Sequence, residues 1–93
     1  YELTLTDAEL DEGHGLYNQT CLYCHGQDAI GGGITPDLRR STTEVHEQFA
    51  DIVLGGVRAY LGMPAWDDRY DAEQVRLIQG WILHRARESA GGY

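Results

Sequence analysis

The stretch Cys21-Leu22-Tyr23-Cys24-His25 decides how the rest of this 93-residue chain is read. It contains both cysteines of the sequence, in the C-x-x-C-H spacing of covalent haem attachment. Two thiols three positions apart at a helix end can form thioethers to the two vinyl groups on one porphyrin edge, and the next side chain can then reach the iron. His25 is thereby the candidate proximal ligand, through one imidazole nitrogen. C-x-x-C also describes redox dithiols and half of a zinc site. A dithiol oxidoreductase presents the pair at the start of a helix in an α/β fold, whereas no strand pattern occurs here. A structural zinc site wants four ligands, and His14 or His46 would have to join at irregular spacings.

Low-spin haem iron needs a second axial ligand. Met63 is the sole methionine and sits in the loop Leu61-Gly62-Met63-Pro64, 38 residues beyond His25. That separation leaves room for a loop, a helix and a return loop to bring the thioether to the distal face. Pro64 fixes one backbone angle beside the candidate ligand and biases Met63 toward an extended conformation. A methionine is more often a gap filler in a core; the loop setting and the vacant coordination position reverse that reading. His14, His46 and His84 are alternative second ligands, read here as ordinary solvated histidines.

Outward from these residues the chain reads as helices and loops. Thr6 with Glu9 makes a capping box, followed by Leu10, Leu16 and Tyr17, which predicts a helix over 6–20. Gly13 and Gly15 lower its intrinsic propensity and suggest close packing. Gly31-Gly32-Gly33 and Pro36-Asp37 are loop chemistry. Ser41 with Glu44 predicts a second cap, opening a helix through Val45, Phe49, Ile52 and Val53 that Gly55-Gly56 ends. Asp71 with Gln74 starts a last helix, whose Val75, Leu77, Ile78, Trp81 and Ile82 recur at helical spacing until Gly91-Gly92. No linker or repeat divides the sequence, so residues 1–93 read as one domain.

Fifteen acidic side chains against seven basic ones give a formal charge of −8, which argues against nucleic acid as a partner. The acidic field either speeds encounter with a basic partner or serves solubility alone. A chain this short buries a limited share of its surface, and a buried prosthetic group would supplement its core. No apolar run of membrane-spanning length occurs. The opening Tyr1-Glu2-Leu3-Thr4 lacks the pattern of a secretory signal, as expected of a mature protein or an excised domain.

In the order of these features the sequence resembles the small bacterial class I cytochromes c over nearly its whole length. The resemblance implies an all-α fold of three to five helices wrapped around one covalently bound haem c. It implies that the first and last helices cross through Gly13, Tyr17 and Trp81, and that the Pro36 carbonyl accepts a hydrogen bond from the His25 ring. More narrowly, Gly31 to Arg39, Ile52-Val53-Leu54-Gly55-Gly56 and Gly62-Met63-Pro64 are similar to the C-terminal haem domain of quinohaemoprotein alcohol dehydrogenases, in which a pyrroloquinoline quinone domain oxidises an alcohol and passes electrons to the haem. That quinone domain has no counterpart in these residues. By the same resemblance Arg39 points at a haem propionate, with a solvated surface arginine as the alternative. Trp66 and Tyr60 flank the methionine loop and either wall the haem or pack ordinarily.

The expected activity is therefore single-electron transfer and not catalysis. The donor would be a quinone- or flavin-dependent dehydrogenase, the acceptor an oxidase or another cytochrome, and the compartment the periplasm. A monomer is expected. The competing expectations are a five-coordinate haem enzyme or gas sensor with Met63 displaced, and a colourless zinc or dithiol module.

Overall fold

A computed structural model describes residues 3–21, 25, 38–59, 63 and 65–92, with side chains as far as residue 88. Its elements are α1 (Asp7–Thr20), a 3-10 turn (Leu38–Arg40), α2 (Thr43–Glu47), α3 (Phe49–Val53) and α4 (Ala72–Gly92), with no strand among the described residues. The all-α expectation is met.

Both long helices begin where reciprocal caps satisfy backbone donors that lack a partner in the first turn. At α1 the Thr6 hydroxyl accepts from the Glu9 N–H at 3.2 Å and the Glu9 carboxylate accepts from the Thr6 N–H at 3.0 Å. At α4 the Asp71 carboxylate accepts from the Gln74 N–H at 2.8 Å, and the Gln74 carbonyl oxygen accepts from the Asp71 N–H at 3.0 Å. Arg76 joins the two beginnings, donating to Glu9 at 2.9 Å and to Glu73 at 2.7 Å. These groups are exposed, so the network contributes orientation more than stability.

The two helices meet at a glycine. A Cβ on Gly13 would run into the Leu77 carbonyl oxygen and lie 2.8 Å from its carbon and 3.2 Å from the Trp81 Cβ. Beside this contact the Tyr17 and Trp81 rings pack at a centroid distance of 4.7 Å. Tyr17 is fully buried, with Val75, Ile78 and Ile82 nearly so, and each such apolar side chain stabilises the fold by on the order of 2 kcal/mol. Leu77 to Leu83 are buried without interruption, because α4 is covered by α1, the 3-10 turn and α3 on different sides. Gly15, by contrast, is exposed with open space where its Cβ would be, so the close-packing expectation holds for Gly13 alone.

The middle of the chain differs from the sequence reading in two places. The cap is Thr42, whose hydroxyl accepts from the Val45 N–H at 3.3 Å, and not Ser41. The single helix expected from Val45 to Val53 is also broken at Gln48, whose backbone (φ −98°, ψ 7°) leaves the α region. The cause is tertiary. The Gln79 amide of α4 donates to the His46 carbonyl at 2.9 Å and lies 3.1 Å from His46 Nδ1. The broken turn turns this carbonyl toward α4, and its hydrogen bond to Gln79 offsets the lost helical geometry. His46 is buried, stacked against Phe49 at 6.1 Å, which corrects its reading as solvated.

Three outcomes follow for stability. Gly13→Ala should lower it by about 1–3 kcal/mol through overpacking, while Gly15→Ala should raise it by about 0.5–1 kcal/mol through helix propensity; matched denaturant titrations of the two variants check this. Burial pushes the His46 imidazole below its ordinary pKa, so the folded state keeps it neutral where the unfolded chain takes up a proton. Its contribution is present at neutral pH and is lost as pH falls below about 6.5. His46→Gln should flatten that acid limb in thermal melts taken across pH 4 to 7.

Candidate functional site

Two predicted site residues stand at and beyond the C-terminal end of α1. Cys21 caps the helix, its N–H donating to the Tyr17 carbonyl. One turn further the His25 N–H donates to the Cys21 carbonyl at 2.8 Å. This backbone bond has the i to i+4 spacing of a helical hydrogen bond, and both residues are half-buried.

Met63 arrives from the opposite side of the sequence. Its N–H donates to the Arg58 carbonyl at 3.2 Å, and its side chain is half-buried against the core. The loop that presents it is held at two further points. Gly56 has φ +68°, a left-handed conformation that glycine adopts without strain, and a Cβ there would approach the Ala65 Cβ to 3.1 Å. The Trp66 N–H donates to the Val53 carbonyl at 2.7 Å, and the Trp66 carbonyl accepts from Arg69 and Tyr70 at 3.0 and 2.9 Å.

Cys21, Leu38, Leu54, Met63 and Trp66 come from separate segments, yet all rest on the same buried cluster while keeping part of their own surface uncovered. Arg39 is half-buried in the 3-10 turn beside Leu38. Cys24, Pro36 and Tyr60 lie outside the described residues. The donor set suits a haem: an imidazole, a thioether sulfur and a thiol on apolar support are the groups a c-type haem requires, and a soft thioether favours iron over a hard cation. Among the described residues no cluster of three or more histidine, cysteine, aspartate or glutamate side chains suits a bare metal ion.

The histidines considered as alternative ligands have other surroundings. His14 stacks on Trp81 with centroids 4.5 Å apart and planes 6° from parallel, so it too is not simply solvated. His84 lies 3.5 Å from Glu88, one turn along α4.

Tyr70 is the residue that sequence reasoning missed. It is buried, and its hydroxyl donates to the Leu16 carbonyl at 3.0 Å and lies 2.7 Å from the Thr20 hydroxyl. It thereby ties the end of α1 to the start of α4. Its position just before the Asp71 cap, with Val75 at the fourth helical position, is a hydrophobic staple that the sequence does display.

These features are those of a cytochrome c, and the chain belongs to that family: residues 8–82 match the family described as cytochrome c oxidase, cbb3-type, subunit III. It is 40% identical over 86 residues to the quinohemoprotein alcohol dehydrogenase ADH IIB of Pseudomonas putida, across 92% of this chain and 12% of the dehydrogenase. It is 44% identical over 80 residues to cytochrome c550 of Pseudomonas aeruginosa, across 82% of this chain and 55% of that protein. The solved structure of the quinohemoprotein alcohol dehydrogenase ADHIIG from Pseudomonas putida HK5 superposes with a TM-score of 0.91 at 37% identity, covering 98% of this chain and 13% of the enzyme. The chain thus spans a small fraction of the dehydrogenases it matches. Family membership implies haem c, and electron transfer is the role it fits.

Gly56→Ala places a Cβ in the left-handed region and against Ala65. It should cost about 1–2 kcal/mol, read as a lower denaturation midpoint at unchanged slope.

Proposed function

We propose that this chain is a one-electron carrier in which His25 and Met63 hold the iron of a single haem c attached through Cys21 and Cys24. The observation that carries the reading is the backbone bond from the His25 N–H to the Cys21 carbonyl at 2.8 Å, just past the end of α1. When bound, haem c supplies a one-electron ferric/ferrous couple.

The chain's own part is to hold donors and exclude water. The Cys21 carbonyl at the end of α1 holds the backbone of His25; the Arg58 carbonyl, Gly56 and the Trp66 bond to Val53 fix the loop of the thioether. A thioether favours the ferrous state, and apolar neighbours such as Leu38, Leu54 and Trp66 disfavour the extra charge of the ferric state, so both raise the potential. Ligation that persists in both oxidation states keeps reorganisation small. Pro36 is assigned to orient the His25 ring, Arg39 to a propionate and Trp66 to the haem wall; each assignment rests on the family resemblance.

The donor is proposed to be a quinone-dependent alcohol dehydrogenase, or a flavin-dependent dehydrogenase, because the curated relatives include quinohemoprotein alcohol dehydrogenases and a 1-butanol dehydrogenase (cytochrome c). The acceptor is an oxidase or another cytochrome, and the setting the periplasm. No helix among the described residues is long and apolar enough to cross a membrane.

Visible spectra of the haem-loaded protein, oxidised and then reduced with dithionite, test this. Sharp α and β bands in the reduced form, with the weak near-infrared band of methionine-ligated ferric haem in the oxidised form, are the expected result. Met63→Ala should abolish the near-infrared band and admit carbon monoxide to the reduced iron. Rapid carbon monoxide binding by the unmodified protein would mean an open iron site and overturn the carrier reading, and a colourless protein would overturn haem binding itself.

A further inference from the structure

Two stripes of side chains that the haem reading does not use meet across the α1–α4 crossing. Asp7, Leu10, Asp11 and His14 stand at i, i+3, i+4 and i+7 on one face of α1, and Trp81, Arg85 and Glu88 share a face of α4 at the same spacing. Together they line an open groove of about 360 Å³. Its floor is half-buried Leu10 and the His14 ring, which lies flat on Trp81 with centroids 4.5 Å apart. Its rim is acidic. On the α4 side Glu88 accepts from Arg85 at 3.2 Å, so that pair is matched in charge. On the α1 side Asp7 and Asp11 are exposed, and no described residue pairs with either carboxylate. The helix dipole accounts for an acid in the first turn, where Asp7 stands. Asp11, a turn later, has no such role in folding. The groove takes up the first half of α1; even His14 is about 10 Å along the axis from Cys21.

The chemistry of the groove selects its occupant. An apolar floor under a carboxylate rim matches a long aliphatic stem with a cationic tip, the form of lysine and arginine, and an arginine tip also stacks on rings. A bare metal ion is a poor match, because no cluster of three or more ligating side chains stands among the described residues. A second copy is disfavoured by the formal charge of −8 on each chain, and an anionic lipid surface by the same repulsion. We propose that the groove docks a lysine- or arginine-bearing segment of a partner protein. The inference goes beyond the haem reading and does not depend on it. A partner held by the half of α1 remote from Cys21 gains local concentration without engaging His25 or Met63.

The test is a titration of isotope-labelled ferrous holoprotein with an acetylated tetralysine amide at low ionic strength, followed through the backbone amides and the Trp81 indole N–H. Shifts should concentrate at residues 7–14 and 81–88. Asp7→Asn combined with Asp11→Asn should weaken binding about fivefold, the joint effect of two exposed ion pairs. Glu47→Gln combined with Asp51→Asn removes the same charge from exposed positions on α2 and α3, and should weaken it by less than about twofold. Leu10→Ser leaves the charge unchanged and should weaken binding about threefold, through lost cover of the aliphatic stem. The visible spectrum should be the same in all of these variants.

Shifts spread evenly over the acidic surface, or equal weakening by the two double variants, would mean attraction by net charge alone and overturn the proposal. Wild-type affinity in Leu10→Ser would reduce the groove to its charges and overturn it equally. Shifts of the groove amides that grow with protein concentration before any peptide is added would give the face to a second copy, against the proposed partner. A chain that takes up no haem would instead contradict the proposed function, so the two failures are distinct.

Discussion

The close approach of α1 to α4 at Gly13 is the constraint on which the other contacts depend. With no Cβ at that position, the helix lies directly against the backbone of Leu77, and the Tyr17 and Trp81 rings close the gap on its flank. A helix needs tertiary cover to be stable in water at this length, and among the described elements α4 is the main cover of α1. The cover in turn fixes where α1 ends. Cys21 caps a helix whose middle is locked to the core, and its carbonyl holds the His25 N–H, so the placement of both backbones follows from the crossing.

Polar contacts refine that placement. Tyr70 reaches from the start of α4 to the Leu16 carbonyl and the Thr20 hydroxyl, and Gln79 reaches from the middle of α4 to His46. In both cases a buried donor on or just before the last helix satisfies a carbonyl on an earlier element, which is how buried polar atoms escape the penalty of lost hydration. Among the described residues no buried side-chain nitrogen or oxygen is left without a partner. The Met63 N–H is held by the Arg58 carbonyl, and the Trp66 N–H by the Val53 carbonyl. Donors from distant parts of the sequence can thus be presented by short, rigid attachments to one core.

What could be read from the sequence followed the locality of each signal. The caps at Thr6 and Asp71 were legible because both partners of each lie within four residues, as was the C-x-x-C-H motif. The cap of α2 was not, because Ser41, Thr42 and Thr43 offer three hydroxyls in a row and packing chooses among them. The break at Gln48 and the burial of His46 depend on Gln79, more than thirty residues later, and no local pattern records that pairing. Gly13 and Gly15 look alike in sequence and differ only in what faces them. The Thr20–Tyr70 contact was invisible for the same reason, though the staple of Tyr70 on Val75 marked the residue as structural.

Ligation of one iron by His25 and Met63 is the central claim. The most direct measurement is iron K-edge X-ray absorption on the ferric and ferrous holoprotein, which counts the scatterers bound to the metal by element and distance. A single sulfur scatterer beside the porphyrin and imidazole nitrogens, retained in both oxidation states, is the predicted result. A first shell of nitrogen and oxygen alone, or a sulfur lost on reduction, would contradict it.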